Sequence, residues 1–188
     1  MNFVRLSATN MPAVSMKKWT DSGKRVSGTT RRTRLFFRNI FVHLTSMPAK
    51  KIVLDTNCLI ASLSRGGQYY PVWKGLQTGK YVLCVSTDIL EEYAEIMIQK
   101  MSVEVATHVI HLLLESKYVE LVNPYFSLHL IEADHDDDKF VDCAFAANAT
   151  YIVSDDKHYS ILKDIDFPKI LVLKLKEFLG LLQSEDNK

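Results

Sequence analysis

No apolar run in this 188-residue chain approaches the ~20 residues needed to span a bilayer, so no membrane-spanning helix is expected. Cysteine is sparse. Cys58, Cys84 and Cys143 stand alone without a CxxC pair, which argues against a disulfide framework or a cysteine zinc site. Each lies in an apolar stretch and reads as a core residue of a protein kept in a reducing, cytoplasmic compartment. No Gly-rich phosphate loop is present, and nothing like GxGxxG follows the first apolar run, which disfavours a Rossmann-type nucleotide binder. No internal repeat is found. Acid is nearly absent from the first fifty residues, where Asp21 alone faces ten Lys and Arg, for a net charge of +9.

That scarcity divides the chain. Residues 51–188 hold the other 13 basic and 21 acidic residues, a net charge of −8, so the overall +1 is the sum of two unlike segments. Residues 1–46 are rich in Ser, Thr, Lys and Arg without a sustained apolar period. Three readings compete for them: an organellar transit peptide, a basic nucleic-acid arm, or residues upstream of a true start at Met47, the last being preferred. An acidic globular part binds phosphate backbones poorly by charge alone. Bound cations or a basic partner would have to reverse its local field.

From Lys51 the pattern alternates strand and helix. Ile52-Val53-Leu54 suits a strand buried on both faces, ending at Asp55, where open α/β sheets place their ligand crevice. A short helix through Leu59, Ile60 and Leu63 follows, then one over Tyr69–Thr78 stopped by Gly79. Tyr81–Val85 reads as a second strand. Ser86 caps a helix over Thr87–Lys100, and Ser102 caps another that continues to Lys117. Val119–Val122 suits a short strand. A loop with Pro124 leads to the acidic run 132–138, followed by a helix over Lys139–Asn148. Strands at Tyr151–Ser154 and Ile170–Leu173 flank a short helix near Tyr159–Leu162, and Lys176–Leu182 closes as an amphipathic helix. The alternation predicts an α/β architecture, three layers with a central, mostly parallel twisted sheet flanked by helices.

Several acids then fall near the carboxyl ends of strands. In the helix after Ser86 the apolar stripe is Ile89, Leu90, Tyr93, Ile96 and Met97. Glu91 and Glu95 lie roughly 160° from its centre, whereas Glu92 is about 100° away, at its edge. Glu92 is thus the one able to reach into a cleft. Asp138 and Asp142 are four residues apart and share a helix face, where they repel unless something positive lies between them. Without such a partner, Asp142 would simply be exposed. Asp156 follows the strand ending at Ser154. Acids gathered in this way form a pocket whose repulsion a divalent cation relieves, and carboxylate oxygens suit Mg²⁺ or Mn²⁺. Asp134, Asp136 and Asp138 have the opening spacing of an EF-hand, but Lys139 and Phe145 stand where its Gly and bidentate Glu are needed.

In order, the segments KIVLDTNCLI, VSTDILEEYAEIM and DDDKFVDCAFAANATYIVSDDKHYSIL resemble the PIN-domain family, in particular the PIN toxins of bacterial type II toxin–antitoxin pairs. The resemblance covers about residues 50–182. It implies a PIN-like nuclease domain over 47–183, a basic extension over 1–46 and a polar tail over 184–188. It also implies a metal-dependent endoribonuclease with catalytic and metal-ligating acids at Asp55, Glu92, Asp138 and Asp156, and Asp142 as a fifth metal ligand. Ser154 falls at the hydroxyl position that orients a ligand or water, and Asn57 at the polar position that supports the first aspartate. Many relatives carry an aspartate where this chain has His158, which puts a metal contact at that corner in doubt. Tyr69, Tyr70, Trp73 and Lys74 are candidates for stacking and charge near the cleft, with core packing the stronger reading for Trp73.

The implied partners are RNA, a cognate antitoxin protein that inserts a segment into the acidic groove, and a second copy of the chain in a homodimer, with no membrane. Leu112–Leu114 or the closing helix would supply the dimer face. Two other readings remain open: a housekeeping RNA-processing nuclease, and a catalytically silent PIN-like interaction domain. Retention of every acid argues against the silent module.

Overall fold

The computed structural model describes residues 50–131 and 135–186, and the basic extension expected over 1–46 lies outside the described residues. Strand β1 covers Lys50–Leu54, followed by helices α1 (Thr56–Leu63) and α2 (Tyr70–Thr78). Strand β2 (Tyr81–Val85), helices α3 (Thr87–Lys100) and α4 (Val103–Glu115), and strand β3 (Val119–Leu121) come next. A 3-10 turn at His135–Asp137 leads into α5 (Asp138–Ala146) and β4 (Tyr151–Val153). A second 3-10 segment over Lys157–Lys163, strand β5 (Val172–Leu173) and helix α6 (Leu175–Asp186) complete the order.

The five strands form one sheet in the order β3-β2-β1-β4-β5, and every pair is parallel. Ile52 lies beside Leu83 on one side and Tyr151 on the other, so β1 is the central strand. Successive residues of a strand point to opposite faces, and Ile52, Val53 and Leu54 are all buried, so helices cover the sheet on both sides. The chain winds outward from β1 through β2 to β3, then returns to place β4 on the other side of β1. Connections leaving the carboxyl ends of β1 and β4 therefore diverge, and a crevice opens between them. Asp55 and Asp156 stand at that crevice.

The helix boundaries have local causes. Ser86 and Ser102 accept hydrogen bonds from the Ile89 and Val105 amides, capping α3 and α4 as expected. The terminal helix is longer than its apolar period suggested, reaching through Ser184 to Asp186 and taking in residues expected to be tail. Asp155 contributes at its start by accepting from the Leu175 amide. Cys58, Cys84 and Cys143 are buried free thiols, each pushed up to about 12 by burial, and serve as core residues. Among the described residues no helix is long and apolar enough to cross a membrane.

Gly79 ends α2 with φ at +77°, and a β-carbon added there would meet the Tyr118 ring at 2.3 Å. Gly79→Ala combines left-handed strain with displacement of that ring, and is expected to lower unfolding stability by about 1–3 kcal/mol. Urea denaturation checks this, since an unchanged midpoint would mean that α2 can terminate in another way.

Candidate active site

Asp55 is built by the end of β1. Its amide donates to the Val153 carbonyl at 3.0 Å, locking the end of β1 to β4. Its side chain caps α1, with Oδ1 accepting from the Asn57 amide at 3.3 Å. Oδ2 accepts from the buried Ser154 hydroxyl at 2.7 Å, and Ser154 Oγ accepts in turn from the Asp156 amide at 3.0 Å. One serine thereby ties both strand-end acids together. Asn57 supports Asp55 through its backbone, while its side-chain oxygen accepts from Lys100 Nζ at 2.7 Å.

Glu92 enters from α3. Its neighbour Tyr93 is fully buried and donates its hydroxyl to the Leu54 carbonyl, anchoring α3 against the end of β1. Glu92 Oε1 accepts from the Thr56 hydroxyl, and Oε2 pairs with Lys139 Nζ at 2.8 Å. The helical-wheel reading of Glu92 as an edge residue agrees with this half-buried position. Glu91 and Glu95 are exposed but also line the groove, together with Asp88.

The run before α5 departs from expectation. Asp136 and Asp137 face the groove, whereas Asp138 and Asp142 do not line it. Asp138 is 4 % exposed, with Oδ1 accepting from the Ile131 amide at 2.9 Å. Asp142 is 6 % exposed and accepts from Ser127 Oγ at 2.9 Å and the Leu128 amide at 2.8 Å. The two do share a helix face, but that face is turned toward the loop over residues 123–131. Consecutive helical residues point about 100° apart, so Asp137 and Asp138 cannot serve one groove equally. Nor is Asp142 the exposed residue it would be without a partner, because loop donors satisfy it. Asp137 is held by the buried Tyr159, whose hydroxyl donates to Oδ1 at 3.1 Å. Burial and the adjacent Asp137 carboxylate push the Tyr159 phenol well up, so it remains a proton donor.

His158 Nδ1 lies 3.6 Å from Asp137 Oδ2 and 3.5 Å from Asp156 Oδ1, a half-buried position between two acids. Those three side chains form a cluster with the spacing of metal ligands. Tyr69, Tyr70, Trp73 and Lys74 do not line the groove. Trp73 is a core residue, and the two tyrosines pack partly buried against the core. The residues that sequence reasoning missed are Thr56, Lys139, Asp137 and Tyr159. Thr56 was visible beside Asp55 and Lys139 beside the acidic run, but their pairing with Glu92 depends on how three elements converge.

The groove measures about 630 Å³. Asp55, Glu92, Asp137 and Asp156 line it together with Asp88, Glu91, Glu95 and Asp136, and Lys139 is the one cation among the lining residues described. The neighbouring acids outweigh burial and hold the Lys139 ammonium above its ordinary value. At Asp55, burial pushes the carboxyl up, the Ser154 and Asn57 hydrogen bonds pull it back, and the charges of Glu92 and Asp156 push it up again. The net shift is upward. A carboxyl with a raised folded value favours the fold while protonated, and this contribution is lost as pH rises through that value. Asp55→Asn keeps an acceptor for Ser154 and a helix cap but carries no charge. In EDTA it is expected to melt above the parent protein at neutral pH, with the gain shrinking as pH falls through the raised folded value and gone below about pH 4, where unfolded aspartate also protonates. A lower melting temperature at pH 7 would contradict this electrostatic account.

No curated protein matches the chain. Among solved structures, it is similar to a chain in the crystal structure of VapBC2 from Rickettsia felis bound to a DNA fragment from their promoter. That match has 15 % identity and a TM-score of 0.48, and covers 66 % of this chain and 98 % of the other. It is also similar to the PIN domain endonuclease Utp24, at 18 % identity and a TM-score of 0.43, covering 68 % of this chain and 86 % of that one. Residues 51–158, which carry β1, the groove acids and the His158 corner, match the PIN domain family. With more than half its length matched, this chain belongs to the PIN domain family.

Proposed function

We propose that the protein is a Mg²⁺- or Mn²⁺-dependent endoribonuclease that works in the cytoplasm as the toxin of a toxin–antitoxin pair. The observation that carries this reading is the convergence of Asp55, Glu92, Asp137 and Asp156 on one groove at the point where the strand order turns outward. The donor set fits the ion. Every one of these four ligands is a carboxylate oxygen, the preference of Mg²⁺ and Mn²⁺ and not of copper. A buried, upward-shifted Asp55 among like charges is also the environment that a dication relieves. Asp137 takes the role expected of Asp138, and Asp142 falls outside the set.

When bound, the ion would supply positive charge for the phosphodiester and lower the pKa of water. The chain's own residues do the positioning. Ser154 and the Asn57 amide orient Asp55, Thr56 orients Glu92, and Tyr159 orients Asp137. Lys139 offers the groove an ammonium that can meet a phosphate oxygen once Glu92 is otherwise engaged. A substrate with accessible phosphates and unstacked bases, single-stranded or looped RNA, suits an open groove of this kind. An antitoxin segment with a basic side chain would find the same field, and the exposed Leu114 on α4 offers a contact for a homodimer.

The test is cleavage of a mixed RNA pool with Mg²⁺, Mn²⁺ or EDTA. Asp55→Asn, Asp137→Asn and Asp156→Asn should each lower the rate by at least about 100-fold, since even partners of metal ligands cost 10–100-fold. Asp138→Asn should retain far more activity than Asp137→Asn while losing stability; equal loss in a folded Asp138→Asn protein would reject the helix-face assignment. Expression alone should arrest growth, with relief on co-expression of the neighbouring reading frame. Normal growth with retained cleavage would indicate a housekeeping nuclease. Absence of calorimetric Mn²⁺ uptake would indicate a silent module.

A further inference from the structure

A second cluster of metal-binding side chains lies outside the acidic groove. His129 sits on the loop after β3 and His135 in the 3-10 turn before α5. Both imidazoles are exposed yet converge on the buried Asp138, with Nδ1 atoms 3.6 Å and 3.2 Å from its Oδ2. One ligand atom from each of the three residues falls within 4.8 Å of the others. We propose that His129, His135 and Asp138 form a separate site for a divalent transition metal, zinc foremost, which clips the 123–131 loop to the start of α5.

Four observations support the assignment. First, the donor set is two imidazoles and one carboxylate, which suits zinc and its neighbours, whereas the four groove carboxylates suit Mg²⁺ or Mn²⁺. Second, the spacing fits. Ligand atoms bonded to a tetrahedral zinc at about 2.0–2.2 Å lie roughly 3.3–3.5 Å from each other, close to the two His–Asp separations. Third, the carboxylate is already oriented. Asp138 Oδ1 is occupied by the Ile131 amide at 2.9 Å, leaving Oδ2 to face both rings. Such an outer-shell hydrogen bond is what fixes a metal-ligating carboxylate. Fourth, the rings stand edge to face, with centroids 6.1 Å apart and planes at 88°, beside a cavity of about 330 Å³ with room for a water as fourth ligand.

A pair of ordinary His–Asp hydrogen bonds is the competing account. It gives one carboxylate oxygen two imidazole partners that water could serve equally well, and it asks for no preference among metals. The metal account does. His129 holds φ at +50°, the backbone conformation that delivers its ring to Asp138. The clip would lie one residue from Asp137 and Lys139, at the wall shared with the groove.

The site is independent of the nuclease reading, because it uses none of the groove ligands. The experiment uses the full chain without a histidine tag, stripped with EDTA and dialysed. Zinc is titrated calorimetrically and cobalt by visible absorption, both with excess Mg²⁺ present. The parent protein and Asp55→Asn/Asp156→Asn should each take up one zinc and show a cobalt spectrum of a low-coordinate nitrogen-containing site, with a higher melting temperature in zinc. His129→Ala and His135→Ala should each weaken zinc binding by more than about 100-fold and abolish the cobalt bands. Two separate exposed substitutions guard against one of them unfolding. Zinc uptake that survives both histidine changes, uptake lost only with the groove variant, or no uptake at all would each overturn the proposal.

Discussion

The hydrogen bond from Ser154 to Asp55 joins the two strand ends on which the candidate site is built. It bridges the end of β1 and the residue just after β4, the pair of strands between which the chain reverses its winding direction. It also holds Asp55 where burial penalises its charge. Such a carboxylate is not placed for stability. An isolated buried charge costs several kcal/mol unless it is paired or neutralised, and one hydroxyl and one amide compensate only part of that. The sheet accepts the cost because Ile52, Val53 and Leu54 of β1 are buried and covered on both faces. A core of Ile52, Val53, Leu54, Leu83 and Ile152 supplies the stability that the strand ends give up.

The acids around Asp55 follow from that arrangement, and so does their one cation. Glu92, Asp137 and Asp156 come from three different elements; Glu92 and Asp137 are each held by a neutral donor on another element, Thr56 and Tyr159, and Asp156 by the His158 amide two residues on. The groove is therefore pre-formed and does not depend on the carboxylates finding their own positions. Lys139 is the exception. Its pairing with Glu92 lowers like-charge repulsion, and at 2.8 Å with both side chains about a quarter exposed it is a partly screened ion pair of modest energy. A contact of that size can be exchanged for another ligand without unfolding anything.

The fold was legible because its signals are periodic. Strands of consecutive β-branched and aliphatic residues, serine caps at 86 and 102 and the stop at Gly79 each carry a local mechanism, and the elements lie within a few residues of where those mechanisms put them. Asp55 and Asp156 were legible for the same reason, being fixed by where strands end. Glu92 followed from the wheel of α3 because Ile89, Tyr93 and Met97 define its buried side unambiguously. The failure came in a run of like residues. With Asp136, Asp137 and Asp138 adjacent, composition cannot say which faces the groove, because one residue of register rotates the choice by about 100°. The 3-10 turn that sets the register, and the loop donors Ile131, Ser127 and Leu128 that capture Asp138 and Asp142, are tertiary facts with no local signature. Trp73 and its tyrosine neighbours illustrate the opposite limit, since aromatic residues near a cleft in sequence were claimed by the core.

The same register gives the acidic run two separate uses. Asp137 points to the groove and Asp138 to the loop cavity, back to back across the first turn of α5, with Lys139 lining both. Whatever fixes Asp138 therefore also fixes the rotation of Asp137 about the helix axis. The amide of Ile131 does so now, and the two histidines converge on the oxygen that amide leaves free. The loop over 123–131 thus bears on the groove without lining its acidic floor. It sets the helical phase on which one groove carboxylate depends, much as Ser154 sets the position of another.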